Sequence, residues 1–253
     1  MKITGIIAMW RNRAQREKLY STAEYWDAKA SELEGDAISM WPNNMLNALY
    51  HKEQMDLVVD AIGSLHGKKV LDVGCGTGRL SRFLADCGAT VLGIDFSGKA
   101  ISIAQQKAPS GNPVFRELSV FNVNEVDEYD FIFSWGCVVM AATTRNELLA
   151  AMQFLRRASK TNADALFLEP VHRGFVHRVL DMDVDEFCEV MQEAGFQIEW
   201  IRQMHFWPMR FVLAFISWPR WVTAPCYYFG QMLMRLPGFR GMGDYKAIKA
   251  IAV

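Results

Sequence analysis

The chain has 253 residues, a formal net charge of −1 and an isoelectric point of about 6.5, which argues against a general nucleic-acid binder because such proteins usually carry a basic excess. Its hydrophobic content of 51% is enough for a full core, and its five scattered cysteines favour a reducing compartment over a disulfide framework. The sequence contains no run of about 18 uncharged apolar residues, so no membrane-spanning helix is predicted. Residues 1–18 make a poor signal peptide because their apolar patch is short and charges follow it. We therefore expect a cytoplasmic protein.

Residues 1–63 are predicted to form an N-terminal helical cap. The segment 23–35 is typical of a helix that ends near Gly35, and a second helix is predicted from about Asn44 to Gly63 after a Trp-Pro-Asn-Asn loop. Residues 10–35 are polar with scattered aromatic side chains, Tyr20, Tyr25 and Trp26. These side chains either pack on the domain as in any amphipathic helix or close over a ligand.

The central stretch of the chain is 70–78, with the sequence VLDVGCGTG. An apolar strand ends there in three glycines at alternate positions, and a helix is predicted from Arg79. Glycine lets the backbone turn sharply and approach a ligand closely, and the helix that follows presents free N–H groups. A second short strand, 90–95, ends in Asp95, which is placed to accept both ribose hydroxyls of a bound nucleoside. The alternative is a βαβ unit with a purely structural role.

The remaining predicted elements alternate between strand and helix over the rest of residues 64–253, which we expect to form the main domain. They are a helix from Ser97 to about Lys107, strands at 113–118, 130–135 and 163–168, a helix capped by Thr143 or Thr144, a helix at 184–195, and strands from Phe196 to about Met204 and over 244–253.

The VLDVGCGTG stretch resembles the first motif of the class I S-adenosylmethionine (SAM) dependent methyltransferases, which reads hydrophobic-L-D-hydrophobic-G-C-G-T-G. The resemblance covers roughly residues 65–205 and the last strand, and it is nearest to the small-molecule type, including the type 11/12 and ubiquinone-biosynthesis-like groups. It implies an α/β fold with a Rossmann-like, seven-stranded, doubly wound sheet of six parallel strands and one antiparallel strand. It also implies SAM as cofactor and S-adenosylhomocysteine (SAH) as product.

The resemblance assigns cofactor contacts to the first two strands and to the ends of the third and fourth. An acid often follows the third strand in this family and contacts the adenine, but a serine and a valine occupy that place here, with Glu117 and Asn122 as the nearest substitutes. The predicted cofactor-binding residues are Asp72, Gly74, Cys75, Gly76, Gly78, Asp95, Phe96, Ser119, Val120 and Ser134.

Three of the five histidines fall at predicted strand ends or just past them, where ligands bind in open parallel sheets. Histidine is the side chain best suited to act as a base near neutral pH. We therefore predict His172 and His177 as catalytic bases for a hydroxyl acceptor, with ordinary structural histidines as the alternative. Arg173 and Arg178 could clamp a carboxylate or phosphate, or lie solvated on a short helix.

The predicted substrate-binding residues come from several segments that should meet at the cofactor face of the sheet. They are Tyr25, Trp135, Arg173, His205 and Trp207. Metal binding is disfavoured because no H-x-x-x-H pair stands beside acids and the cysteines lack C-x-x-C spacing. Cys137 is expected to be a buried structural cysteine rather than a reactive thiolate.

The segment 206–241 is an apolar, aromatic insertion between the last two strands, and its prolines and glycines are expected to break any long helix. The strand before it ends on the cofactor face and the strand after it begins there, so the insertion should sit over the mouth of the site. It could act as a lid over a lipophilic substrate, touch a membrane surface or bury a homodimer interface.

These patterns together predict a SAM-dependent methyltransferase that acts on a small, lipophilic molecule in a biosynthetic pathway, at a hydroxyl or at carbon, nitrogen or sulfur. A protein or nucleic-acid methyltransferase is disfavoured by the near-neutral charge, the apolar insertion and the absence of an N-P-P-Y-type motif. The non-enzyme alternative is a membrane-associated binding protein with the SAM fold and no activity. The expected location is the cytoplasm, with peripheral membrane contact left open.

Overall fold

The computed structural model describes residues 19–32, 41, 43–108, 111–174, 177–239 and 241–253. The expectations for residues 1–18, for Pro42 and for a helix end near Gly35 lie outside these residues.

The described residues build one seven-stranded sheet with the strand order β3-β2-β1-β4-β5-β7-β6. Only β7 runs antiparallel, and it pairs with β5 on one side and β6 on the other. The fold class predicted from the sequence is therefore confirmed, with six parallel strands and one antiparallel strand. The strands are β1 Lys69–Val73, β2 Thr90–Asp95, β3 Val114–Glu117, β4 Tyr129–Trp135, β5 Ser159–Glu169, β6 Phe196–Phe206 and β7 Gly243–Ala252.

Helices cover both faces of the sheet, as the doubly wound pattern requires. They are α1 Ala23–Glu32, α2 Asn44–Ile62, α3 Arg79–Asp86, α4 Gly98–Lys107, α5 Val138–Ala141, α6 Arg145–Ala158, α7 Val184–Glu193, α8 Trp207–Leu213 and α9 Arg220–Met234, with short 3₁₀ turns at Val120–Asn122 and Pro237–Phe239. Side chains that cap helix N-termini mark several of the predicted starts, including those of Ser97 and Thr144.

Alternate residues of the central strands feed two separate hydrophobic cores, because successive side chains in a strand point to opposite faces. Leu71 and Ile132 join the core under α6 and α7. Val70, Phe131 and Phe133 join the core under α2 and α3. The central strands are thus apolar on both faces, which is why they appear in the sequence as continuous hydrophobic runs.

The 206–241 segment is more helical than its prolines and glycines predict. The 15 residues of α9 continue past Pro225, although proline removes a backbone donor and crowds the preceding turn. Tertiary packing outweighs this local cost, because one side of α9 is buried against α2 and the end of β6, including Tyr227 and Gly230. The segment therefore rests on α2 through a small apolar cluster of Leu46, Leu49, Tyr50, Leu213, Ala214 and Tyr227.

Asn43 joins the start of α2 to both helices of that segment. Its side-chain oxygen accepts a hydrogen bond from the Leu46 N–H at 3.1 Å, which caps α2. Its amide group donates to the Leu213 carbonyl at 3.0 Å and to the Thr223 hydroxyl at 3.2 Å, and the residue is only 1% exposed. One buried side chain thus satisfies groups on α2, α8 and α9.

We predict that Asn43→Ala lowers the free energy of unfolding by about 2–4 kcal/mol, since it removes a cap and leaves a buried carbonyl without its donor. The control is Thr144→Ala, which removes the cap of α6 in an exposed setting and should cost only about 1 kcal/mol. Urea denaturation followed by circular dichroism measures both values. Equal losses in the two variants would show that the Asn43 bonds to Leu213 and Thr223 add no stability.

Candidate functional site

The turn between β1 and α3 holds three glycines for two different reasons. All three have positive φ, at +72° for Gly74, +54° for Gly76 and +74° for Gly78. A Cβ at Gly74 would lie 2.4 Å from the Cβ of Cys137, and one at Gly78 would lie 2.3 Å from the Phe115 ring, so both glycines are required by protein packing. A Cβ at Gly76 would meet no protein atom within 4 Å. The backbone at Gly76 therefore borders open space, where a ligand can approach it closely.

Asp95, at the end of β2, is oriented by that turn. One carboxylate oxygen accepts a hydrogen bond from the Gly76 N–H at 2.9 Å and the other accepts from the Ser97 N–H at 2.9 Å. Burial raises the pKa of Asp95, and these two N–H donors oppose that rise. The carboxylate is fixed in direction and still borders the cavity next to the turn, where it can accept hydroxyl donors.

Two adjoining cavities lie at the carboxyl ends of β1, β2 and β4. The larger cleft encloses about 1150 Å³ of open space including its mouth, which is more than a single small ligand needs. The smaller one, of about 460 Å³, shares Gly74, Asp95 and Phe96 with it and is otherwise lined by residues that include Leu118, Ser119 and Val120. The Gly turn and Asp95 therefore stand where the two cavities meet.

The helix α1 closes one side of the larger cleft. Asp27 accepts a hydrogen bond from the Ser97 hydroxyl at 2.5 Å and another from the Lys99 N–H at 3.1 Å, which ties α1 to the start of α4. Trp26 donates its indole N–H to the Tyr20 carbonyl at 2.8 Å, and both rings line the cleft. Of the three aromatic residues named from the sequence, Tyr20 and Trp26 thus form part of the cleft wall, whereas Tyr25 lines neither cavity.

Most of the predicted cofactor residues come together here. The cavities are lined by Asp72, Gly74, Cys75, Gly76, Asp95, Phe96, Ser119 and Val120. Asp72 is 1% exposed, accepts a hydrogen bond from the Ser81 hydroxyl at 2.5 Å, and has its pKa raised to about 7 by burial. Cys137 also lines both cavities. Burial raises the pKa of its thiol, which disfavours the reactive thiolate. The cofactor roles themselves stay predictions.

Two residues of that predicted set lie outside both linings. Gly78 faces the Phe115 ring, as described above. Ser134 is fully buried and donates its hydroxyl to Glu169 at 2.7 Å.

Glu169, which the sequence did not single out, is the last residue of β5 and organises the wall beside Cys137. Its carboxylate accepts hydrogen bonds from the Ser134 hydroxyl, from the Cys137 N–H at 3.3 Å and from the Val139 N–H at 3.4 Å. Glu169 is fully buried, and burial raises its pKa to about 7. It thereby holds the loop between β4 and α5 that forms one wall of the larger cleft. The sequence alone does not show whether the side chain of an acid at a strand end points into the protein.

The structure does not bring the three histidines to the cleft: among the described residues, none lines either cavity. His172 is 6% exposed, and its Nε2 lies 2.8 Å from the Asp244 carbonyl. His177 pairs through Nδ1 with the Gly174 carbonyl at 2.5 Å. His205 is fully buried, its ring stacked on Tyr50 with centroids 3.7 Å apart, and burial lowers its pKa to about 3.

Of the predicted substrate-binding residues, Trp135 lines the larger cleft. Arg173 lies on the surface in ion pairs with Glu186 and Asp183. Trp207 packs edge-to-face on Phe211 with ring centroids 5.7 Å apart. Tyr25 packs edge-to-face on Tyr20 and Trp26. Sequence reasoning missed the cleft residues Arg79 and Tyr245. It named Arg178 together with Arg173 as a possible clamp for a carboxylate or phosphate, and of these two only Arg178 lines the larger cleft.

Comparison with known proteins places the Gly turn and Asp95 inside a recognised domain. Residues 70–162 match the family described as "Methyltransferase domain". The chain is 48% identical over 80 residues to a ubiquinone biosynthesis O-methyltransferase of Thiobacillus denitrificans, covering 31% of this chain and 33% of the relative. It is 34% identical over 99 residues to the enzyme of that name from Glaesserella parasuis, covering 36% and 40%. The matched region thus spans about a third to two fifths of these relatives' length.

A likeness in fold extends over nearly the whole chain. The magnesium protoporphyrin IX methyltransferase of Synechocystis PCC 6803, crystallised with bound SAM, superposes with a TM-score of 0.58 at 19% identity, covering 96% of this chain and 97% of that one. The predicted resemblance to class I SAM-dependent methyltransferases is therefore confirmed at the level of domain and fold. No helix among the described residues is both long enough and apolar enough to cross a membrane.

We predict that Glu169 makes stability depend on pH in a defined direction. Its pKa is about 7 in the folded protein against an ordinary 4.5, so the folded state binds the proton more tightly than the unfolded chain. This contribution is fully present below pH 4.5 and is lost as the pH rises through about 7. Glu169→Gln should therefore gain stability relative to wild type, by up to about 3 kcal/mol, between pH 4.5 and pH 8.

Urea denaturation at several pH values measures this difference. Glu193→Gln, at an exposed carboxylate paired with Arg145, is the control and should follow the wild-type profile. Parallel profiles for Glu169→Gln and wild type would mean that Glu169 is ionised in the folded protein throughout this range.

Proposed function

We propose that this chain is a SAM-dependent methyltransferase that transfers a methyl group to a small, lipophilic acceptor. The observation that carries the proposal is the Gly76 turn, which opens onto a cleft beside a carboxylate, Asp95, whose direction is fixed by the turn's own N–H. This arrangement lies within the region that matches the methyltransferase domain. SAM supplies a methyl group that its sulfonium already activates for displacement.

The residues present fit that cofactor. Asp95 can accept the two ribose hydroxyls, as the acid at the tip of the second strand does in nucleoside-binding sheets. Apolar side chains of the smaller cavity, including Phe96, Leu118 and Val120, offer flat contacts for an adenine ring. The turn, which is open at Gly76 and lies beside the buried carboxyl of Asp72, can bind the methionine part of SAM.

The described walls of the cleft support a reaction that depends mainly on alignment and exclusion of water. They contain no histidine, so neither His172 nor His177 is placed to take a proton from a bound acceptor. His172 adjoins the cleft only through Asp244, whose carboxylate Arg178 contacts from the cleft side. An acceptor that enters already ionised, or that needs no deprotonation, suits this geometry best.

The acceptor is proposed to be aromatic and to react at oxygen. The rings of Tyr20, Trp26, Trp135 and Tyr245 line the larger cleft, and such rings stack favourably with a planar molecule. The printed names of the curated relatives, which are O-methyltransferases of ubiquinone biosynthesis, point to the same acceptor chemistry.

We further propose that the surface of 206–241 rests on an anionic membrane from which a lipophilic acceptor is taken. The segment contains no acidic residue and four arginines, of which Arg210 is buried in an ion pair with Asp244. The outward face of α9 is apolar at helical spacing, with Trp221, Tyr228, Phe229 and Met232 each at least 49% exposed. An apolar face with basic flanks is the pattern of peripheral membrane binding. Further exposed apolar residues on the segment are Phe211, Val212, Ile216, Trp218 and Leu236.

We predict that Gly76→Ala weakens SAM binding at least tenfold, because the new Cβ enters the space left for the ligand. Gly67→Ala is a matched control: Gly67 also has a positive φ and no protein atom within 4 Å of a built Cβ, but it lies outside both cavities. Both variants should lose similar thermal stability, and calorimetric titration with SAM separates them. Unchanged SAM affinity in Gly76→Ala would contradict the cradle, and a wild-type protein that does not bind SAM would overturn the proposed function.

For the membrane surface, we expect the double variant Trp221→Asp and Phe229→Asp to lose binding to phosphatidylglycerol vesicles in a sedimentation assay. Val126→Asp, at a 64% exposed position away from the segment, should bind as wild type does. Retained vesicle binding in the double variant contradicts the assignment. A wild-type protein that ignores vesicles but forms a dimer broken by the double variant would assign this face to a homodimer interface instead.

A further inference from the structure

We infer that Arg178 is the anion-binding group of the acceptor site, and that the acceptor is an aromatic acid whose carboxylate it holds. This inference rests on the proposed function, because it assigns the part of the larger cleft that the cofactor residues leave open. The Arg178 guanidinium reaches the cleft at the point where the segment after β5 meets the start of β7.

Arg178 is held in place by a buried carboxylate. Its Nη2 lies 3.2 Å from Asp244 Oδ2, and Asp244 is 1% exposed, whereas the Arg178 side chain keeps 19% of its surface accessible. The guanidinium also lies 5.7 Å from the centre of the Tyr245 ring. Since the side chain is braced from below by an ion pair and an aromatic ring, its accessible part is directed at the cleft that it lines.

Asp244 does not neutralise Arg178, because it is shared. Arg210 Nη1 lies 2.5 Å from Asp244 Oδ1, and Arg210 is buried beneath the site. Burial alone would raise the pKa of Asp244, but Arg210 and Arg178 hold it well below its usual range, so it carries one negative charge against two guanidinium groups. His172 also contacts this carboxylate, at 3.3 Å, and burial lowers its pKa, so that it is neutral near pH 7.

The other charged groups near the cluster do not cancel the surplus. Glu53, near Tyr50 and His205, has its pKa raised to about 7 by burial and accepts hydrogen bonds from the Tyr227 hydroxyl and the Gln231 amide. Lys246 adjoins Asp244 and is also cationic in part, with its pKa lowered to about 8 by burial. Glu169, near Tyr245, has its pKa raised to about 7 by burial, and its oxygens accept hydrogen bonds from Ser134, Cys137 and Val139. Tyr245 faces Arg178, and burial raises the pKa of its phenol, so that it carries no charge near pH 7. A surplus positive charge therefore meets the cleft at Arg178.

The surroundings of Arg178 select an aromatic anion over a small inorganic one. A planar guanidinium pairs well with a planar carboxylate through two parallel hydrogen bonds. The neighbouring walls are the rings of Tyr20, Trp26, Trp135 and Tyr245, and Arg79 lies over Trp135 at 5.0 Å from its centre. A ring bearing a carboxylate can meet both features at once.

The bound carboxylate has two possible roles that share this recognition chemistry. It can be the acceptor, in which case one of its oxygens attacks the methyl carbon, a C–O bond forms as the C–S bond breaks, and the products are a neutral ester and neutral SAH. It can also anchor the ring so that a hydroxyl oxygen receives the methyl group and releases its proton to solvent. In both cases Arg178 binds the acid before transfer.

The test compares an acid with its neutral isostere. Wild-type protein saturated with SAH should bind 4-hydroxybenzoate about tenfold to hundredfold more tightly than 4-hydroxybenzamide, measured by calorimetry, since a charge-assisted pair is lost with the amide. Arg178→Gln should abolish that preference with SAH affinity unchanged, and Arg178→Lys should keep part of it. Arg145→Gln, at an exposed arginine paired with Glu193, is the control and should behave as wild type.

The outcomes separate this inference from the proposed function. Equal binding of acid and amide by a wild-type protein that binds SAH, or no binding of either, overturns the inference alone. Failure of the wild type to bind SAH overturns the proposed function, and the acid-to-amide preference of the SAH-free protein still tests Arg178. If Arg178→Gln unfolds, the test uses Arg178→Lys instead. An acid-to-amide preference of Arg178→Lys that equals the preference of wild type and of the Arg145→Gln control would contradict a role for the guanidinium group. With labelled methyl groups, an alkali-labile product identifies the carboxylate as acceptor and an alkali-stable product identifies the hydroxyl.

Discussion

A single buried carboxylate, Asp244, joins two separate segments that lie 66 and 34 residues before it in the sequence. A buried charge is costly unless it is paired, and Asp244 is paired with Arg178 from the segment after β5 and with Arg210 from α8. These pairs fix where β7 begins relative to the two segments that flank it. Tyr245, the next residue on β7, is thereby held against the larger cleft. The wall opposite the Gly turn depends on this arrangement.

The other wall is set by backbone geometry rather than by charge. The turn between β1 and α3 is packed tightly at Gly74 and Gly78, and it is open only at Gly76. The tight packing against Cys137 and Phe115 keeps the turn rigid, so that the Gly76 N–H can hold Asp95 in one direction. Rigid support beneath a ligand site reduces the ordering that binding requires. Glu169 acts similarly on the neighbouring loop by collecting the donors of Ser134, Cys137 and Val139.

The local pattern of the sequence predicted every strand of the sheet and the Gly turn with Asp95 at its edge, and the family resemblance predicted the direction of β7. It did not predict which side chains near the strand ends point into the cleft. His172, His177 and His205 sit at the expected positions along the chain, but each ring turns to a partner elsewhere, such as the Asp244 carbonyl or the Tyr50 ring. Arg173 and Arg178 are five residues apart and chemically alike, yet only the second meets a buried acid, which β7 supplies from 66 residues farther along the chain. The length of α9 was underestimated for the same reason, because its burial against α2 outweighs Pro225.

The place of β7 in the sheet has a consequence for how such a protein can diversify. Since β6 and β7 are antiparallel neighbours, the segment 206–241 is in topological terms an enlarged hairpin loop, which leaves the sheet and returns to it at the same edge. No parallel crossover passes through it, so its length and composition can change without altering the strand order or the Gly turn. The surface that the protein shows to its surroundings can therefore evolve separately from the apparatus around Gly76 and Asp95. The contacts of this segment with α2 and with Asp244, which include those at Asn43, Tyr227 and Arg210, need to be kept or replaced when it does.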